Sequence, residues 1–426
     1  MEQNERTIFD VIILGAGASG LMCAAVAAGR GKSVLLIDHA DKPARKLSIT
    51  GGGKCNLTNR IVTPHDYVGE NPHFCRSALA GFTPEHLLAM LREAGIALEE
   101  REHGQMFCRR SAGDMVDFLL RACERGGCRL ALGENILAVE RIIPAEDARA
   151  DAAPARFRVR TRTGIYESRS LVIAMGGPAW PQTGASGRGY ELARAFGHRI
   201  VPIRPALVGL VMPDNWPLAG LAGISVPASV LVLPPPAKAD EPEGSGKKGK
   251  KRDAEVFAAD NLALLFTHRG VSGPAALQAS LYWRKGCRLR LDFLPGQSVE
   301  DLLDQAAGKL LCRSVFRRLL PERLCDALLP AELGGKKVAE LSRQERDRLH
   351  SLLKTHEVAP IRSEGFVRAE VAAGGVSTEE VSSRSMESAR VPGLFFCGEI
   401  LDVTGRLGGY NLHWAFASGN AAGLHV

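Results

Sequence analysis

The feature that most constrains the fold is Gly15-Ala16-Gly17-Ala18-Ser19-Gly20, a G-x-G-x-x-G run between two short apolar segments. Residues 10–14 read as a strand, 21–30 as an Ala-rich helix, and 33–38 (SVLLID) as a second buried strand. In that setting each glycine has a mechanical reason. Gly15 permits a tight turn, Gly17 lets main chain approach a pyrophosphate, and Gly20 allows close helix–strand packing. Ala18 and Ser19 complete the turn before the helix, whose free N–H groups and positive dipole end suit a diphosphate. Asp38, at the end of the second strand, is placed to accept hydrogen bonds from both hydroxyls of a ribose. Dinucleotide binding is the expectation.

A second Gly-rich run distinguishes the cofactor. Lys46-Leu47-Ser48-Ile49-Thr50-Gly51-Gly52-Gly53-Lys54-Cys55-Asn56 follows soon after Asp38. A nicotinamide dehydrogenase has no need of three consecutive glycines there. FAD lying extended across a sheet does, because main chain must pass close to its ribityl chain and ring. Lys46, Gly52, Gly53, Cys55 and Asn56 are therefore expected contacts, and Gly176-Gly177, ending another strand, is a further one. Near the C-terminus, residues 398–411 repeat the order strand, Gly-rich turn, helix. Gly398, Glu399 and Asp402 are expected along the ribityl chain, and Gly408, Gly409, Tyr410 and Asn411 against the ring. A helix N-terminus there would stabilise the negative charge that collects on reduced flavin. On this reading, Gly409→Val pushes the backbone away from the ring and lowers the flavin potential. No second G-x-G-x-x-G with a charged strand end follows, so a dedicated NAD(P)H domain is not expected. NAD(P)H docking transiently as reductant stays open.

Three side chains are candidates for catalysis. His268 lies in the polar turn Thr267-His268-Arg269-Gly270, and imidazole titrates near neutral pH, as a proton donor requires. Cys55 is a candidate acid or nucleophile, since Lys54 and nearby amides would ease thiol ionisation. Tyr410 flanks the flavin-facing turn with His413, and either is an acid or merely wall.

The 426 residues imply two to three domains at roughly 150 residues each. Alternating helices and strands up to residue 200 (1–200) imply a parallel sheet covered by helices. Residues 201–296 are Pro-rich with short β runs and read as an inserted β domain. Within it, 234–252 is a Lys/Gly/Pro-rich mobile loop. Residues 297–357 repeat apolar positions at helical spacing. The β pattern returns over 358–373, notably 366–372, and 374–426 completes the nucleotide-binding domain from the other end of the chain. Net charge is +7, but residues 238–252 supply +3 of it from six basic and three acidic residues, so total charge argues only weakly for nucleic acid. Ten cysteines with no C-x-x-C disfavour zinc and secreted disulfide scaffolds and fit reduced thiols in a cytoplasm. No run approaches the ~18 apolar residues of a membrane span. Neither a metal nor a membrane partner is expected, and oligomeric state is not legible.

Taken in order, GAGASGLMCA, KLSITGGGKCNLTN, GGPAWPQTGASGRGYELARAFGH, LLFTHRGVSGPAALQAS, AAGGVS and CGEILDVTGRLGGYNLHWAFASG resemble the BaiN/RdsA-type family of FAD-dependent oxidoreductases, which includes aminoacetone-oxidase-like proteins. The resemblance spans residues 11–420. It implies an α/β fold: an FAD-binding Rossmann-like domain of the two-dinucleotide-binding type, with an inserted β-barrel-like domain and a small helical domain. It also implies one of three reactions. These are reduction of a conjugated C=C in a small molecule, reduction of a uridine in ribosomal RNA to dihydrouridine, and oxidation of a small amine by oxygen. A flavin-binding scaffold without turnover is a fourth, different class.

Overall fold

The computed structural model describes residues 8–142, 156–235, 255–306 and 308–426. The expected 234–252 loop lies, from residue 236 onward, outside the described residues. Two compact units form: residues 1–204 with 371–426, and residues 205–370.

The first unit opens with β1 (Ile8–Leu14), α1 (Ala18–Gly29), β2 (Val34–Ile37) and α2 (Arg45–Gly53). After β3 (Asn56–Asn59) come β4 (Leu98–Glu100), β5 (Gln105–Cys108), α3 (Gly113–Arg125) and β6 (Arg129–Ala131). β7 (Ile136–Arg141), β8 (Phe157–Thr161), β9 (Ile165–Ile173) and α4 (Arg188–Ala195) follow. The C-terminal part adds β10 (Leu394–Phe396) and α5 (Tyr410–His425).

The main sheet runs β6-β2-β1-β9-β8-β7, with β10 also on β9. β6, β2, β1, β9 and β10 are mutually parallel, while β8 pairs antiparallel with the first half of β9. Every residue of β2 is buried, as expected of a parallel strand covered on both faces. One core joins Val11–Leu14 of β1, α1, α3 and α5. α1 and α5 cross closely because small residues meet: a Cβ at Gly419 would collide with the Ser19 carbonyl, and one at Gly423 would lie 2.7 Å from Val26 Cβ. A separate three-stranded sheet, β3-β5-β4, carries the residues after the triple glycine.

The second unit holds a seven-stranded antiparallel sheet. Its order is His356–Val358, Arg288–Asp292, Ser225–Leu233, Val256–Phe266, Gly270–Ser272, Leu210–Val211 and Arg362–Ser363. Helices between 299 and 353 share its core through Phe316, Leu324, Leu349 and Leu353. Ser342 caps the last of them, accepting from Glu345 N–H while the Glu345 carboxylate accepts from Ser342.

One expected strand moves. Residues 366–370 are not extended, and the strand is instead Val371–Val376. It contains two consecutive glycines, Gly374 and Gly375. They are needed for close approach, because a Cβ at Gly374 would collide with the Pro202 carbonyl. Among the described residues no helix is long and apolar enough to cross a membrane, and no group of three or more His, Cys, Asp or Glu could hold a metal ion.

Candidate active site

The three glycines of the first turn are not equivalent. Gly15 has φ +105°, and a Cβ there would lie 2.6 Å from the Ala174 carbonyl oxygen at the end of β9. A Cβ on Gly20 would collide with the Gly15 carbonyl. The fold itself requires both. Gly17 is different: φ is −81°, which any residue adopts, and a Cβ would meet nothing within 4 Å. Gly17 also caps α1 without any side-chain hydrogen bond, so no side chain satisfies the first N–H groups of the helix there. That cradle fits the pyrophosphate of a dinucleotide.

Asp38 ties the same turn from the end of β2. Its Oδ2 accepts from Ala16 N–H at 2.6 Å and its Oδ1 from Ala40 N–H at 2.8 Å. Asp38 N–H in turn donates to Ala131 of β6 at 3.0 Å. Each carboxylate oxygen keeps acceptor capacity for a ribose hydroxyl. Next along the chain, α2 stops being helical at Thr50, and Gly51, Gly52 and Gly53 all have positive φ. A Cβ on Gly51 would press 2.6 Å from the Phe107 ring, whereas Cβ atoms on Gly52 and Gly53 would meet nothing. Gly176, at φ +64°, is equally open. Gly177 is not: its Cβ would lie 2.8 Å from Tyr190 Oη and 3.1 Å from Glu399 Oε1.

The C-terminal turn is latched to the first one. Gly398 N–H donates to Ser418 Oγ (2.9 Å), Trp414 Nε1 donates to Gly398 O (3.1 Å), and a Cβ on Gly398 would collide with Ser19 Oγ. Glu399 is held by Lys46 Nζ at 2.7 Å and by Ala372 N–H at 2.9 Å. Asp402 is buried, which raises its carboxyl above the usual value, and it accepts from Glu70 N–H at 2.8 Å. Gly408 passes against β3, its carbonyl accepting from Asn59 Nδ2 at 3.3 Å. Gly409 caps α5 at φ +93°, half-buried. Tyr410 is half-buried too, its ring 6.3 Å from that of Tyr67 in an edge contact, and desolvation raises its phenol. Two buried polar atoms border these turns with no hydrogen-bond partner among the described residues: Tyr190 Oη at Gly177 and Asn56 Oδ1 at Gly409.

Three expectations are corrected. Cys55 is not an activated thiol. It is fully buried, its φ is +55°, and burial together with Cys108 pushes the thiol far above its ordinary value. Lys54 does not offset this, because its ammonium pairs with Glu99 at 3.4 Å. The Asn411 side chain is spent on the turn itself, with Oδ1 accepting from Gly405 N–H and Nδ2 donating to Gly405 O, both at 2.8 Å. Only its main chain is left for a cofactor. Finally, a Cβ at Gly409 would collide with the Thr58 carbonyl, so Gly409→Val reports on packing before it reports on a flavin potential.

The histidines separate as well. His413 is wall: it is buried, with Nδ1 2.9 Å from Thr58 Oγ1 and Nε2 3.1 Å from the Phe82 carbonyl. His268, in the second unit, is exposed in a turn pinned by Thr267 Oγ1, which accepts from Arg269 and Gly270 N–H. Sequence reading passed over Asn59, Tyr190 and Ser418. The signal was present for all three, since they fall inside the motifs KLSITGGGKCNLTN, GRGYELARAFGH and CGEILDVTGRLGGYNLHWAFASG.

Such a turn on such a sheet defines a Rossmann-type dinucleotide-binding fold, and with the family below the chain is an FAD-dependent oxidoreductase. The chain belongs to the family described as "HI0933-like protein Rossmann domain", whose model matches residues 9–425. It is 37% identical over 420 residues to a ribosomal RNA dihydrouridine synthase of Haemophilus influenzae, covering 97% of this chain and 98% of the relative. It is 39% identical over 416 residues to the Escherichia coli protein of the same name, covering 96% of each. A 3-dehydro-bile acid delta(4,6)-reductase of Clostridium scindens is 30% identical over 432 residues, covering 96% of this chain and 97% of that one.

Proposed function

We propose that this enzyme reduces a uridine of ribosomal RNA to dihydrouridine in the cytoplasm, with NAD(P)H as reductant. One structural observation carries the cofactor side: Gly17 is a glycine the fold does not need, at a helix N-terminus, with open space where its Cβ would stand. The two relatives named for this reaction, matched over nearly their whole length, support the substrate. Bound FAD supplies hydride transfer; the pyrimidine C5=C6 bond is an activated alkene that takes hydride at one carbon and a proton at its neighbour.

In this reading Gly15, Gly17, Ala18, Ser19 and Gly20 hold the pyrophosphate and Asp38 the ribose. Lys46 fixes Glu399, and with Gly52, Gly53, Asn56, Gly176, Gly177, Gly398 and Asp402 these line the ribityl chain. Gly408, Gly409 and the Asn411 main chain bring the α5 N-terminus to the ring, where its dipole favours the reduced form. Tyr410 stays protonated at neutral pH and is the candidate proton donor beside these turns.

The relative named for a bile acid reductase supports a second substrate class, a conjugated C=C in a small apolar molecule. One experiment separates the two. Purified protein with FAD and NADH or NADPH is incubated with deproteinised ribosomal RNA from a strain lacking this gene. The proposal expects one uridine to gain about 2 Da as dihydrouridine. Unmodified RNA alongside rapid reduction of a conjugated enone would overturn it, and flavin that neither nucleotide reduces would exclude NAD(P)H.

A further inference from the structure

Helix α3 ends at Arg125 and the chain reverses through Gly126 and Gly127 into β6. Gly127 has φ +73°, its N–H donates to Glu124 O, and Cys128 N–H donates to Cys123 O, both at 2.9 Å. This closure is the kind that sets the side chains on either side of a helix end against each other. Here both are cysteines: Cys123 in the last turn of the helix and Cys128 just past the closure. Cys123 is buried, with Sγ 3.5 Å from the Leu21 carbonyl, while Cys128 is half-buried at the surface. Contact with Cys123 draws the Cys128 thiol below its ordinary value, against a desolvation that raises it. Neither residue belongs to the cofactor turns, and no third ligand makes a metal site among the described residues.

We propose that Cys123 and Cys128 are a peroxide-reactive dithiol that closes to a disulfide. The Cys128 thiolate attacks a hydroperoxide, forming an S–O bond and breaking O–O, and the departing oxyanion takes a proton. The Cys123 sulfur then displaces hydroxide from the Cys128 sulfenic acid, forming S–S and releasing water. Two thiols lose two electrons and two protons, and one hydrogen peroxide becomes two waters. A dithiol reductant reverses the step by exchange. The bond would fasten the end of α3 to β6, the strand whose Ala131 carbonyl accepts the Asp38 N–H. Gly126, between the two cysteines, is already seated on α1, since its Cβ would lie 2.5 Å from Ala28 Cβ. The disulfide would therefore staple both supports of the cofactor turn.

The sequence makes the test direct, because trypsin cuts after Arg121, Arg125 and Arg129, placing each cysteine in its own peptide, ACER and GGCR. Reduced holoenzyme is treated with a few equivalents of hydrogen peroxide, capped with N-ethylmaleimide and digested without reductant. The expected product is an ACER–GGCR pair about 2 Da lighter than the sum of its peptides, lost on adding dithiothreitol. Cys128→Ser should abolish it at unchanged FAD content, and protein unfolded in guanidinium before oxidation should give far less. Recovery of both thiols as maleimide adducts from oxidised wild type would overturn the proposal. So would Cys128 sulfinate beside an alkylated Cys123. Both results come from wild-type protein, whatever the fate of the variant.

Discussion

Lys46 Nζ lies 2.7 Å from Glu399 Oε2 and joins the segment before the triple glycine to the C-terminal turn. Both side chains are mostly covered, at 30% and 22% exposure, so the pair is better shielded than a surface ion pair. Lys46→Met should cost about 1 kcal/mol in chemical denaturation of the apoprotein. It should weaken FAD binding further, because Glu399 keeps only the Ala372 N–H. Titration of FAD into the apoprotein measures the second effect.

Asp38 should be the most damaging single change at the adenosine end. Its two oxygens accept from Ala16 and Ala40, so Asp38→Ala strands two N–H groups in a partly buried turn. A loss of about 2–3 kcal/mol in stability is expected, with FAD affinity falling as well. Asp38→Asn keeps one acceptor and should fall between. Equilibrium unfolding and FAD titration on the three proteins give the order.

His413 sets an acid limit. Burial lowers its imidazole to about 4, against an ordinary value near 6.5. Between those values the unfolded chain binds a proton that the folded chain does not, so stability falls as pH is lowered through this window. The fall levels out below about 4 and amounts to about 3 kcal/mol at most. His413→Gln should be less stable at neutral pH but show a shallower decline from pH 6.5 to 4. Urea midpoints at several pH values check the slope.

Gly409 and Gly408 should differ in what they report. Gly409→Ala must place a Cβ against the Thr58 carbonyl at φ +93°, and should cost several kcal/mol or prevent folding. At Gly408 the nearest atom to a Cβ is on the Tyr410 ring at 3.4 Å, so strain at φ +121° is the main penalty. Gly408→Ala is therefore the variant in which a changed flavin potential would be readable. Thermal melts with spectroelectrochemistry separate the two.

Much of this was legible because its causes are local. The strand–turn–helix–strand opening follows from short-range periodicity and glycine placement, and β1, α1 and β2 lie where residues 10–38 indicate. What sequence could not show depends on residues that arrive from elsewhere. Cys55 beside Lys54 looks like an activated thiol until Cys108 and the core close over it. Asn411 looks ligand-facing until Gly405 claims both ends of its amide. His413 is undecided between acid and wall until Thr58 and Phe82 occupy its two nitrogens. Spacing likewise cannot tell Gly17, free of the fold, from Gly15 and Gly20, which the fold demands.

That last distinction makes the flavin content of Gly17→Val the most direct test. Valine is compatible with the extended backbone there, its Cβ would meet nothing within 4 Å, and the poorer helix cap should cost about 1 kcal/mol. The added methyl groups would occupy the space assigned to the pyrophosphate. The account predicts a folded, cooperatively melting protein that purifies colourless and does not take up added FAD. A Gly17→Val protein carrying one FAD per chain would contradict it, and would remove the pyrophosphate from this turn.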